Sequence, residues 1–196
     1  YTIFVAEVAS TFNERLLLDY MLEKSTDKHE KIALLQQSIE NITGTFFTQS
    51  MFADFELQAH ENIEQGQALT SENLTAICED LDKKYYGEDI FTRDQANIFW
   101  ARIPHFYRSP FYVYQYATSF AASAKLYSAV KEGLKTGDKS PLEKYLNLLK
   151  SGGNDYPVDQ LKKAGADLTR SETVMAVIDQ LNEQVEALEE ALQSLK

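Results

Sequence analysis

The chain has 196 residues, 44% hydrophobic and 25% charged, enough for one sizeable domain that buries about 70% of its unfolded surface without a disulfide or metal staple. Asp and Glu number 30 against 19 Lys and Arg, a formal charge of −11, which argues against binding to a nucleic-acid phosphate backbone. One cysteine, Cys78, excludes a disulfide framework and a Cys-rich metal site, and it fits a reducing compartment.

The sequence opens Tyr1-Thr2-Ile3-Phe4-Val5-Ala6-Glu7, already inside an apolar helical run, so a piece of a longer protein is expected. No signal-peptide pattern follows, and no apolar window is long enough to span a bilayer; no membrane partner is expected. The first helix is predicted from about Ile3 to Glu23. Ser25, Thr26 or Asp27 then supplies a cap for a longer helical pattern, with Ile32, Leu35, Ile39, Ile42, Phe46, Phe47, Met51 and Phe55 at steps of three and four. Gly44 interrupts it at a cost of about 1 kcal/mol relative to Ala and marks a place for a kink. The pattern ends near Gly66.

Thr70-Ser71 caps a third helix whose face is Leu74, Ile77, Cys78 and Leu81, and which stops at Gly87. Residues 88–110 read as irregular, because Pro104 and Pro110 bias the residues before them away from helical geometry. Helix resumes from Phe111 to Lys135. Ser140-Pro141-Leu142-Glu143 and Thr169-Arg170-Ser171-Glu172 both read as capping boxes. Between the helices they open lies a short one from Pro157 to Gly165. In the last helix Val174, Ile178, Leu181, Val185, Leu188, Leu192 and Leu195 form a heptad seam. The chain is therefore expected to be all-α and one compact unit.

Two groups of residues invite chemistry. Glu7 has apolar neighbours on both sides in sequence, and helical spacing sets it in a stripe with Ser10, Thr11 and Glu14. Either that stripe is a solvated face, or Glu7 is a buried carboxylate held by a cation, since burying it alone costs several kcal/mol. The second group runs from His105 to Tyr116 and holds 4 of the 11 tyrosines and one of the 3 histidines. On a helix beginning near Phe111, Tyr112 and Tyr116 share a face and Tyr114 points elsewhere. Phenols beside an imidazole can donate to an oxyanion or a peptide backbone. The plainer reading has their rings buried at a helix–loop boundary with the hydroxyls wet. His29 and His60 sit in polar contexts, and Cys78 occupies a core position.

These segments together resemble a family. Phe4-Val5-Ala6-Glu7-Val8-Ala9-Ser10-Thr11-Phe12-Asn13-Glu14 resembles the segment that follows the zinc-binding helix in the oligoendopeptidase F family, within the thimet-oligopeptidase-like zinc metallopeptidases. His105-Phe106-Tyr107, followed by Phe111-Tyr112-Val113-Tyr114-Gln115-Tyr116-Ala117-Thr118-Ser119, is similar to its substrate-facing segment. Tyr156-Pro157-Val158-Asp159-Gln160-Leu161-Lys162-Lys163-Ala164-Gly165-Ala166-Asp167-Leu168 resembles its C-terminal stretch.

The resemblance implies a cytoplasmic, largely helical zincin-like peptidase that hydrolyses short peptides by metal-activated water. Glu7 matches its third zinc ligand, the other two being the His residues of an HExxH helix. His105, Tyr112 and Tyr116, with Tyr107 and Tyr114 less closely, fall where family members place donors to the substrate carbonyl. This chain contains no HExxH, and Arg108-Ser109-Pro110 stands where the thimet branch has a Gly-rich loop. Residues 1–196 are then expected to be the C-terminal part of one catalytic domain. Such a piece is expected to be inactive and unable to hold zinc without the N-terminal part of the enzyme, and to self-associate through apolar surface left bare. The rival reading is a helical interaction module pairing through the seam at 174–195.

Overall fold

The computed structural model describes residues 2–87 and 98–195, and among these every regular element is a helix. The described residues gather into two compact units, Tyr1–Phe46 with Tyr116–Lys196, and Phe47–Gln115. The sequence pattern suggests one unit because both crossings fall inside helical stretches. The first lies in a π-helical turn, Thr43–Phe47, which holds Gly44. The second lies in the first turn of the helix Tyr114–Thr136. No Pro- or Gly-rich linker marks either.

The first unit contains α1 (Ile3–Lys24) and α2 (Lys28–Ile42). Asp27 caps α2 by accepting the His29 N–H at 2.8 Å. Val5, Val8 and Phe12 make the buried stripe of α1, at steps of three and four. They meet Ala122, Leu126, Tyr127 and Val130 of α7 (Tyr114–Thr136), Tyr145 and Leu148 of α8 (Ser140–Ser151), and Leu161 and Ala164 of α9 (Pro157–Ala164). The second unit supplies α3 (Thr48–Glu64), α4 (Ser71–Tyr86), α5 (Phe99–Arg102) and α6 (His105–Arg108). At the centre of the first core the Phe12 ring stacks on Tyr145 at 3.8 Å and meets Tyr127 edge-on at 5.5 Å. Ala117, Ser119, Ala121, Ala122, Ser123 and Ala124 are all buried, so small side chains let neighbouring elements approach the α7 backbone. Gly165 closes α9 in the left-handed region at φ 113°, where its N–H returns to the Leu161 carbonyl.

The last helix, α10 (Ser171–Gln193), packs against α2. Lys28 Nζ donates to the Ser194 carbonyl oxygen at 2.6 Å, a cation at a helix C-terminus. The buried stripe is Thr173, Val177 and Gln184, one residue before the expected seam; Val174, Val185, Leu192 and Leu195 are exposed. The seven-residue repeat is real, but its buried face is turned by about one residue, or 100°.

Both capping boxes are also corrected. Lys139 and Arg170 are the N-cap residues of α8 and α10 and make no side-chain cap bond. Asp138 accepts the Ser140 N–H at 2.9 Å, and Asp167 accepts the Thr169 N–H at 3.0 Å. The hydroxyls that would have capped donate instead to these same aspartates, Ser140 to Asp138 at 3.0 Å and Thr169 to Asp167 at 2.7 Å. Thr70 does cap α4, accepting the Asn73 N–H at 3.3 Å.

The core of the second unit is Met51, Phe52 and Phe55 of α3, Ile77, Cys78 and Leu81 of α4, Phe99 of α5, and Val113. Phe99 and Phe106 pack on Phe52 and Phe55 with ring centroids 4.9–5.8 Å apart. Lys84 Nζ joins Asp54 across α3 and α4 at 2.6 Å. Cys78 is fully buried, and burial pushes its thiol up to about 11. Residues 98–110 carry two short helices where irregular chain is expected from the prolines; the earlier part of that stretch, 88–97, lies outside the described residues.

Candidate functional site

Glu7 lies in the second turn of α1, half-buried. Ser10, one turn on, donates its hydroxyl to Glu7 Oε2 at 3.0 Å, and Thr11 donates to the Glu7 carbonyl oxygen at 2.7 Å. The stripe read from the sequence is therefore a hydrogen-bonded strip, in which a neighbouring hydroxyl orients the carboxylate. Glu14, two turns along, accepts from Asn41 of α2 at 3.3 Å. Glu7 and Tyr116 belong to the first unit; His105, Tyr107, Tyr112 and Tyr114 belong to the second.

Within the second unit, Pro104 opens α6 and His105 is its first residue. The helix ends after one turn at Arg108, where Ser109 adopts φ −146°. Pro110 follows, and Phe111 then takes φ 56°, the one non-glycine residue with a positive φ among those described. A bulky residue in that region costs about 1–2 kcal/mol. The reversal brings Tyr112 back over His105, with ring centroids 5.5 Å apart and planes 19° from parallel. The fold thus brings two predicted site residues, His105 and Tyr112, together.

The placement corrects one expectation. Tyr112 precedes α7, which starts at Tyr114, so Tyr112 and Tyr116 are not successive turns of one helix. The left-handed residue at 111 delays the helix by three positions. Tyr116 is half-buried on α7, and Tyr114, at its first position, is exposed. Tyr107 is also exposed and donates its hydroxyl to the Trp100 carbonyl oxygen at 2.9 Å, a local hydrogen bond that occupies the phenol's donor.

Sequence reasoning overlooks one acidic residue beside this segment. Glu56 is buried on the apolar face of α3 with Met51, Phe52, Phe55 and Ala59. Its Oε1 accepts the Phe111 N–H at 2.6 Å. One turn on, His60 Nδ1 donates to the Glu56 carbonyl oxygen at 2.7 Å, and the His60 ring lies 4.5 Å from that of Phe111. The available signal is an acidic residue at a core position of an amphipathic helix.

Among the described residues, no group of three or more His, Cys, Asp or Glu is arranged to hold a metal ion. No described helix is long and apolar enough to cross a membrane. The sequence model for peptidase family M3 matches residues 1–180. The chain belongs to peptidase family M3.

Named relatives in this M3 peptidase family are similar along nearly the whole chain. "Oligopeptidase PepF" of Bacillus subtilis is 42% identical over 196 residues, all of this chain and 28% of that protein. "Oligoendopeptidase F, plasmid" of Lactococcus lactis subsp. cremoris is 39% identical over 193 residues, 98% of this chain and 31% of its own length. The crystal structure of oligoendopeptidase-F from Enterococcus faecium superposes with a TM-score of 0.88 at 37% identity, covering 99% of this chain and 36% of that one. The chain thus spans between 28% and 36% of these relatives. The all-α architecture of the described residues agrees with the superposed part of that crystal structure.

Proposed function

We propose that the protein to which this chain belongs is a zinc-dependent oligoendopeptidase that hydrolyses short peptides in the cytoplasm. The observation that carries the reading is membership of peptidase family M3 through residues 1–180, which include every candidate site residue. In this reading the chain is part of a catalytic domain completed by the N-terminal portion of the same enzyme, and alone it is inactive.

Glu7 fits a metal ligand in its chemistry. It offers a hard oxygen donor, and the Ser10 hydroxyl fixes the carboxylate as outer hydrogen bonds fix ligating carboxylates in metal sites. A catalytic zinc site takes three protein ligands and an open position. Glu7 is the one this chain would supply. When bound, zinc contributes Lewis-acid polarisation of the scissile carbonyl.

The chain's own residues supply donors. His105, on α6, and Tyr112, two residues before α7, form a stacked imidazole–phenol pair, and Tyr116 adds a hydroxyl from α7. Negative charge grows on the carbonyl oxygen as the peptide bond is attacked. Preorganised N–H and O–H groups stabilise that charge, and the loss of one such donor costs about 10²–10³ in kcat. Tyr107 and Tyr114 take a lesser part: the first donates to Trp100, and the second is exposed at the start of α7.

The test uses the full-length protein. Glu7→Ala is expected to lose stoichiometric zinc by elemental analysis and peptide hydrolysis with it. Tyr116→Phe is expected to keep zinc and lower kcat. A Glu7→Ala protein with full zinc content and activity removes the ligand assignment. Undiminished turnover in Tyr116→Phe, Tyr112→Phe and His105→Ala alike removes the donor assignment.

A further inference from the structure

Glu56 stands where packing alone would place a hydrophobic residue. It follows Phe55 on the buried face of α3, amid Met51, Phe52 and Ala59. A buried carboxyl group is costly unless a donor meets it, so its partner indicates what it is for. That partner is the Phe111 N–H, at 2.6 Å. Phe111 is also the described non-glycine residue whose backbone occupies the left-handed region, a conformation that persists only where its surroundings over-determine it. The second restraint comes from the same helix. His60 donates to the Glu56 carbonyl oxygen and lays its ring against the Phe111 ring at 4.5 Å.

We propose that Glu56 is a positioning residue for the substrate-facing pair: by accepting the Phe111 N–H it fixes the left-handed turn that lays Tyr112 against His105. The residue after the turn is Tyr112, so the direction in which the chain leaves Phe111 sets where the phenol lies. His105 begins α6 on the other arm of the same reversal. A single part-buried hydrogen bond from α3 therefore governs the spacing of two side chains on either arm of the reversal. His60 acts as a brace for the ring at the apex. The proposal rests on the reading of His105 and Tyr112 as donors to substrate.

The test is made in the full-length, zinc-loaded protein with a short peptide substrate. Glu56→Leu keeps the volume and apolar packing but removes the acceptor. It is expected to lower kcat by about tenfold or more, since a misplacement of about 1 Å can cost as much as 10²-fold. KM and zinc content are expected to stay close to wild type. Glu56→Gln, which retains an acceptor oxygen, is expected to recover most of kcat.

Adding Phe111→Gly to Glu56→Leu is expected to restore turnover, because glycine enters the left-handed region without an external restraint. A merely structural role for Glu56 would not be repaired at position 111. If Glu56→Leu does not fold, Glu56→Asp, one methylene shorter, takes its place with the same expected fall and the same rescue. Wild-type kcat in the position-56 variant, or a fall that Phe111→Gly does not relieve, overturns the proposal. Tyr112→Phe and His105→Ala in parallel separate the two ideas. If they lower kcat while the position-56 variant does not, positioning by Glu56 alone fails. If they too leave kcat unchanged, the donor reading fails and takes this proposal with it.

Discussion

Replacing Tyr127 with Phe removes one hydroxyl from the bond that ties α1, the helix bearing Glu7, to α7. Asp19 on α1 accepts hydrogen bonds from the Tyr127 hydroxyl and from Lys131 Nζ, the latter at 2.9 Å, and pairs with Arg15 Nε at 3.2 Å. Burial of Asp19 opposes its charge, but the Tyr127 and Lys131 hydrogen bonds and the Arg15 and Lys131 charges outweigh it and hold the carboxyl below its ordinary range. A hydrogen bond to a charged group contributes about 1.5–3 kcal/mol. The Asp19 side chain is 28% exposed, so water replaces part of what the phenol supplies. The expected loss for Tyr127→Phe at neutral pH is therefore at the lower end, about 1.5 kcal/mol.

The pH dependence has a definite sign. A carboxyl whose folded pKa is lowered contributes stability above its unfolded pKa, and that contribution disappears as pH falls through the folded value. The difference between wild type and Tyr127→Phe should shrink in acid accordingly. Urea unfolding of wild type, Tyr127→Phe, Asp19→Asn and the double variant, followed by far-ultraviolet circular dichroism, measures it. Additivity of the two single changes within about 0.3 kcal/mol at neutral pH would refute the coupling.

Two further substitutions probe each unit separately. Gly133→Ala should destabilise the chain by about 1–3 kcal/mol despite alanine's better helix propensity. A Cβ there would collide with the Asp138 carbonyl oxygen and lie 3.2 Å from the Pro141 ring; an unchanged or raised Tm would show that this approach relaxes without cost. Asp82 is buried on α4 with Oδ2 unpartnered among the described residues, and burial pushes its carboxyl up. The native state then holds the proton more tightly than the unfolded chain, so stability falls as pH rises from the unfolded pKa through the folded one. Asp82→Asn should remove that decline, and parallel stability profiles for the two proteins between acid and neutral pH would contradict it.

Helix content was legible because repeats of three and four are a local signal. Pro157 and Gly165 bracket α9, and Thr70 caps α4 as its position suggests. Other features depend on information that periodicity does not carry. A seven-residue repeat in α10 does not say which of two adjacent stripes faces α2, and Thr173, Val177 and Gln184 prevail over the more apolar neighbours. The capping boxes at Ser140 and Thr169 do not form because aspartates outside the motif, Asp138 and Asp167, engage both hydroxyls as donors.

The candidate site divides in the same way. The density of Tyr and His between 105 and 116 is visible in the letters, as is the stripe of Glu7 with Ser10 and Thr11. The turn that brings Tyr112 to His105 is not, because a phenylalanine announces no left-handed backbone. Glu56 and Phe111 are 55 positions apart, and that distance hides their bond from any local pattern.

Cys78 gives the second unit a built-in clock. It is the chain's single thiol, fully enclosed between α3, α4 and α5, with its pKa pushed up to about 11. The thiolate is the nucleophile that attacks an alkylating reagent, and a closed core offers the reagent neither that ion nor a route to it. Every labelled molecule has therefore opened around Cys78 first. The rate at which a thiol reagent modifies this chain reads how often the Phe52–Phe55–Phe99 cluster breathes, with no probe to introduce and no second site within the chain to subtract.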